Sequence, residues 1–350
     1  MPLLSTLNPH PKDGEILFYE EEHYYVHAAT GLRFPTSMTG LLKPCFDTFD
    51  GAAIIARNYS KWRRDDTSKY HTLIRYLELV EEKDEGPIKN AIALLWQRTG
   101  TEAADKGTRM HKEIEDYMNG VLPPPSDKLP APMGVAAYIG MTEWFYPEQK
   151  LEPWRVEFPV CLTTTLPDGT VIPVVAGLID CLMRSKHDGR FWMLDWKRVD
   201  PKKKGLLGKK SVAHGMWKNK EMANAPFDQW EADSYHQYSA QQLGYRHMLI
   251  EGGYMKAEEF AGCFLVQMHD DLDTAHVVEV ADMDDEVEQL FEASIRSVRT
   301  NYIAAHPECD IKKERAPVKT LKRPMKRATS PSLAPVRVKQ EKDLNPCLSS

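Results

Sequence analysis

The 350-residue sequence has no run of about eighteen apolar residues, the length that crosses a hydrocarbon core, so no membrane-spanning helix is expected. Its opening residues, MPLLSTLNPHPKDGE, show neither a basic stretch leading into an apolar core nor an arginine-rich amphipathic pattern. Neither a secretory signal nor an organellar presequence is therefore expected. Cysteine is sparse and scattered: Cys45, Cys161, Cys181, Cys263, Cys309 and Cys347 never fall in C-x-x-C spacing. That argues against a zinc site or an iron–sulfur cluster and for free thiols in a reducing, intracellular setting. An overall excess of positive charge is also missing. The net charge is −6, and residues 312–342 carry +9 of it, so the body outside 312–343 holds 34 basic against 48 acidic residues, a balance of −14. Such a body does not coat itself with nucleic acid, and any nucleic-acid track has to be local.

What the chain does have is a stretch rich in chemistry, GLIDCLMRSKHDGRFWMLDWKR, with Asp180 fifteen residues before Asp195 and Lys197 two positions further on. In WMLDWK, a strand period of two turns Trp192, Leu194 and Trp196 to one face and Met193, Asp195 and Lys197 to the other. In VVAGLIDCLM the same period sets Asp180 between Leu178 and Leu182, with Ile179, Cys181 and Met183 opposite. The Asp188-Gly189 pair between the two segments signals a hairpin that brings Asp180 near Asp195. Two carboxylates suffice to anchor a hard cation such as Mg²⁺ or Mn²⁺ on a phosphate-binding surface, and a lysine beside them can offset charge growing on phosphorus.

Two helices flank this hairpin in sequence. KGTRMHKEIEDYMNG repeats Met110, Ile114 and Tyr117 at helical spacing, ends at Asn119-Gly120, and puts His111 and Glu115 on one face. DSYHQYSAQQLGYRHMLIEGG stops at Gly252-Gly253 and stacks Gln237, Gln241 and Tyr245, amide and phenol groups suited to phosphates and bases. Directly after the Asp-x-Lys strand, KRVDPKKKGLLGKKSVAHGMWKNK offers Lys202, Lys203, Lys204, Lys209, Lys210, Lys218 and Lys220 as a local track for a phosphate backbone.

The ordered set G-x-x-x-H-x-x-x-E, E-F-P-V, G-L-I-D, D-W-K and Q-x-x-x-Y, spanning about residues 100–270, resembles the PD-(D/E)XK nuclease superfamily. Within it the set is most similar to the RecB-type and the viral or mitochondrial exonuclease branch. The resemblance implies metal ligation by His111, Asp180 and Asp195, with the Trp196 carbonyl also coordinating one or two Mg²⁺ or Mn²⁺ ions. It makes Lys197 the catalytic lysine and assigns Gln241 and Tyr245 to an element that orders DNA, with Gln237, Arg198 and the lysines of the following loop as further nucleic-acid contacts. Glu157, in RVEFPV, matches an acidic residue that often precedes the G-x-x-D strand and joins the catalytic group, while Glu115 is expected behind the ligands. Arg198 stands where the branch usually has threonine.

The expected architecture is α/β: a restriction-endonuclease-like core with a central mixed sheet of about five strands flanked by helices, and an N-terminal helical layer. Residues 1–100 are expected to form a hairpin and helices packed on the core, 101–306 the nuclease core, and 307–350 a basic, proline-rich disordered tail. VLPPPSDKLPAP, residues 121–132, reads as a linker between helices. Within the tail, Lys312 to Arg327 resembles a nuclear-import signal, Val338-Lys339-Gln340-Glu341 a sumoylation consensus, and Ser330-Pro331 a proline-directed phosphosite. The expected activity is metal-dependent hydrolysis of DNA, exonucleolytic on single-stranded or end-bearing substrates, in the nucleus. A noncatalytic nucleic-acid-binding scaffold on the same fold and a structure-selective endonuclease are the rival readings.

Overall fold

The computed structural model describes residues 3–46, 50–80, 84–201 and 221–307. The lysine-rich loop residues Lys202, Lys203, Lys204, Lys209, Lys210, Lys218 and Lys220, and the tail motifs beyond 307, lie outside them.

After a short helix α1 (Leu3–Leu7), strands β1 (Ile16–Tyr19) and β2 (Tyr24–His27) pair as an antiparallel hairpin. Alternation sends Ile16 and Tyr25 inward, where Phe34, Cys161 and Ala176 cover them. Helix α2 (Met38–Phe46) follows. Helix α3 (Gly51–Arg64) begins at Asp50, whose carboxylate accepts the otherwise orphaned Ala53 N–H, and α4 (His71–Val80) comes next. With the first turns of α5 (Glu85–Met118), these helices bury Ile55, Tyr59, Tyr70, Ile74, Ile88 and Ile92 in a small core of their own. The expected boundary at residue 100 falls inside α5, which runs unbroken for 34 residues, about 50 Å. Its continuity follows from anchorage at both ends: Ile88 and Ile92 in the helical layer, Met110, Ile114 and Met118 against the sheet. The Asn119-Gly120 stop lies where the sequence places it, with Gly120 at φ 71°.

Beyond α6 (Met133–Trp144), strands β3 (Leu151–Thr165), β4 (Val171–Ser185), β5 (Phe191–Arg198), β6 (Phe260–Met268) and β7 (His276–Glu279) form one mixed sheet in that order. All neighbours run antiparallel except β5 and β6, whose parallel pairing needs a crossover. That crossover contains α7 (Ser234–Glu251), and α8 (Asp284–Ala305) closes the described chain. The expected α/β architecture, a five-stranded mixed sheet flanked by helices, is what the chain forms. Met38, Leu42, Leu243, Met248 and Phe291 from α2, α7 and α8 cover one face, while Met110, Ile114, Tyr138 and Met141 from α5 and α6 cover the other. Each such side chain contributes about 1.5–3 kcal/mol by leaving water.

Simple alternation fails on β3 and β4 beside the acidic residues, apart from the register shifts at Pro153/Arg155 and Leu162/Thr163. Val156 packs on the α5/α6 side but Phe158, Val160 and Leu162 on the other, because Glu157 between them adopts φ 44°, the left-handed region, and turns the strand over. On β4, Ile179 shares its core with Leu182, while Cys181 and Met183 enter the opposite one. The single face expected for Ile179, Cys181 and Met183 is therefore split. The left-handed backbone costs on the order of 1–2 kcal/mol for a residue with a Cβ, and it is stored where the acidic groups gather.

Candidate metal centre

The hairpin between β4 and β5 turns at Gly189, φ 75°, with the Ser185 N–H donating to the Arg190 carbonyl. The resulting register pairs Cys181 with Leu194, so Asp180 and Asp195 occupy the next step on neighbouring strands. On the other side of β4, Val156 pairs with Cys181 and Phe158 with Ile179, which leaves Glu157 opposite Asp180. Three acidic residues thus stand in a row across β3, β4 and β5. From α5, His111 reaches the same point: its Nδ1 is 3.3 Å from Asp180 Oδ2. One ligand atom each from His111, Glu157 and Asp180 lie within 4.8 Å of one another. The same Asp180 Oδ2 accepts the Trp196 N–H at 2.9 Å, which fixes the carboxylate and puts the Trp196 main chain beside it. The Trp196 side chain is buried against Tyr138.

Electrostatics mark the row as strained for anions. Burial, then the Asp180 carboxylate, pushes the Glu157 carboxyl up to about 8. Burial likewise raises Asp195, to about 6, although Lys197 pulls it down. Lys197 is pulled down by burial but held above its ordinary value by Asp195 and Asp180, so it stays charged. The Lys197 ammonium stands 2.7 Å from buried Asp195 Oδ2. One imidazole and two carboxylates, from His111, Glu157 and Asp180, form a donor set that could hold a metal ion.

Helix α7 supports the Asp195–Lys197 pair. Gln242, buried and absent from the expected site, donates from Nε2 to Asp195 Oδ1 at 2.8 Å. Gln241 Oε1 accepts from Lys197 Nζ at 3.4 Å, while its Nε2 donates to Thr39 Oγ1 at 3.1 Å and Tyr245 Oη at 3.4 Å. Tyr238 lays its ring 4.4 Å from Lys197 Nζ. Tyr245 is buried, and burial raises its phenol well above the ordinary value; its ring lies against Gly177, the glycine of G-L-I-D. The two motifs touch each other. From the hairpin, Tyr25 approaches the acidic row, its phenol pushed up to about 12 by burial and then by the Glu157 carboxylate.

The other expected residues are placed as follows. Glu115 ion-pairs with Lys112 at 3.1 Å on α5. Gln237 is half-buried on the first turns of α7. The Arg198 guanidinium pairs with Asp270 on the β6–β7 connection and is largely covered. Sequence reasoning missed Gln242, Tyr238, Tyr25 and Thr39. The doubled glutamine Gln241-Gln242 and the Ser37-Met38-Thr39 helix start were the available signals.

No family model and no curated protein matches the chain. A solved structure titled "Crystal structure of SSO0001" aligns over 57% of this chain and 76% of that chain, at 13% identity and a TM-score of 0.23. That likeness is too slight to bear on fold or function.

Proposed function

We propose that the protein is a divalent-metal-dependent deoxyribonuclease of the PD-(D/E)XK type that hydrolyses phosphodiester bonds of single-stranded or end-bearing DNA. The observation that supports this reading is the cluster of His111 from α5 with Glu157 and Asp180 from β3 and β4, beside the Asp195–Lys197 pair on β5. Burial and the neighbouring Asp180 carboxylate leave Glu157 resisting ionisation, a perturbation that marks candidate functional sites, whereas Asp195 is paired with Lys197 and Gln242. His111, Glu157 and Asp180, whose ligand atoms lie together, would hold Mg²⁺ or Mn²⁺; Asp195, expected as a ligand, stands on the neighbouring strand with its oxygens taken by Gln242 and Lys197. When bound, the cation supplies Lewis-acid polarisation of a phosphoryl oxygen and activation of a water nucleophile.

The chain's own groups do the rest. Trp196 N–H and Gln242 each fix one carboxylate, which holds the acidic row in place before substrate arrives. Lys197 places a positive charge at the edge of the acidic row, where charge accumulates on phosphorus. The exonucleolytic preference comes from the His111 and Q-x-x-x-Y pattern, and nuclear residence from the tail motifs.

The discriminating experiment compares linear and circular single-stranded DNA with Mn²⁺, Mg²⁺ or EDTA. The account expects metal-dependent loss of the linear strand and persistence of the circle. An opened circle would make the protein an endonuclease. Binding without cleavage under every metal, by wild type as by Asp180→Ala, would make it a scaffold.

A further inference from the structure

A lysine has four rotatable side-chain bonds and a strongly hydrated head, so one that must meet a reacting phosphate needs restraint. Lys197 has Asp195 Oδ2 at 2.7 Å and Gln241 Oε1 at 3.4 Å. The Gln241 amide is itself oriented, because Thr39 and Tyr245 take its N–H groups and leave the carbonyl oxygen for the lysine. A third contact comes from one helical turn earlier. The face of Tyr238 lies 4.4 Å from Nζ, and its side chain packs against the small core of Leu265 and Val278. Positions 238 and 241 are three apart on α7 and therefore share a face. The ring faces a charge that is only 15% exposed, which is where an aromatic quadrupole acts on a cation with least competition from water.

We propose that Tyr238 is a positioning residue for Lys197: its ring holds the ammonium beside Asp195 and keeps it from swinging to solvent. The role of Lys197 in cleavage rests on the nuclease reading; its restraint by Tyr238 does not. What the ring face supplies, an aliphatic side chain of similar bulk does not, so Tyr238→Phe and Tyr238→Leu separate positioning from packing.

The test uses the full chain and two readouts: kcat and KM on end-labelled linear single-stranded DNA with Mn²⁺, and the rate at which trace acetic anhydride acetylates Lys197, followed by mass spectrometry. Tyr238→Leu is expected to lower kcat by about tenfold or more while KM stays within about threefold. It should also acetylate several-fold faster at Lys197, whereas Tyr238→Phe stays close to wild type in both readouts. Equal acetylation of Lys197 in wild type and Tyr238→Leu would overturn the proposal whatever the DNA result. Faster acetylation in Tyr238→Leu in a protein that cleaves no DNA would uphold the restraint and remove the nuclease reading instead.

Discussion

Substituting Gly177→Ala tests whether the G-x-x-D glycine exists to receive the tyrosine of Q-x-x-x-Y. A Cβ at position 177 would sit 2.7 Å from Tyr245 Cε1, 3.2 Å from Oη and 3.3 Å from Cζ. The nearest of these is about 0.7 Å inside ordinary contact, and the obstacle is a rigid ring in a close-packed core, so it cannot swing away as a flexible chain end would. Overpacking of this kind costs about 1–3 kcal/mol. For a chain of this size that is about 2–5 °C in Tm, since unfolding entropy scales with length. Displacing Tyr245 also disturbs Gln241, which it helps orient against Lys197. Urea denaturation of Gly177→Ala, Tyr245→Leu and the double variant forms the assay. Removing the ring should relieve the alanine, giving a coupling of about 1–2 kcal/mol. Strict additivity, or a Gly177→Ala protein as stable as wild type, would refute the contact as the reason for the glycine.

Further outcomes follow from the same geometry. Gln242→Leu strips the donor from buried Asp195 Oδ1 and should lower stability by about 1–3 kcal/mol; an unchanged urea midpoint would contradict the contact. In EDTA, thermal stability should fall as pH rises from about 5 to 8: the folded-state carboxyls of Glu157 and Asp195 are raised, so burying them is free of penalty below their unfolded values and increasingly unfavourable above them. Added Mn²⁺ should raise Tm most at the alkaline end of that window, and a metal-induced gain independent of pH would count against the assignment. Burial opposes ionisation of Asp13, but hydrogen bonds and charge from Arg155 hold its carboxyl below the ordinary value. Its contribution is present above the unfolded value near 3.8 and lost as pH falls through the folded one, so the Tm deficit of Asp13→Asn should narrow below about pH 4.

Much of the architecture is written locally. A period of two places Trp192, Leu194 and Trp196 on one core and Met193 on the other, and the Asp188-Gly189 turn sets the register that aligns Asp180 with Asp195. Helix ends at Asn119-Gly120 and Gly252-Gly253 follow from cap chemistry. What escaped was set by long-range contacts or by local violations of the period. Nothing in RVEFPV announces that Glu157 takes φ 44° and turns β3 over, and that single residue undoes alternation on its neighbour too. The role of Gln242 depends on α7 lying against β5, 47 residues away in sequence, and the pairing of Arg198 with Asp270 on a connection 72 residues on. Thr39 reaches Gln241 across 202 residues. Helix α5 hid its continuity because its two ends serve different cores.

The most direct test of the central claim is the rate of Mn²⁺-dependent cleavage of end-labelled linear single-stranded DNA by wild type, Asp180→Ala, Asp195→Ala and Lys197→Ala at matched DNA occupancy. The account predicts cleavage by wild type that EDTA abolishes, and loss of turnover in each variant while DNA binding and fold persist. Near-normal turnover in any of the three would contradict the site, and a wild-type protein inert with every divalent metal would contradict the activity.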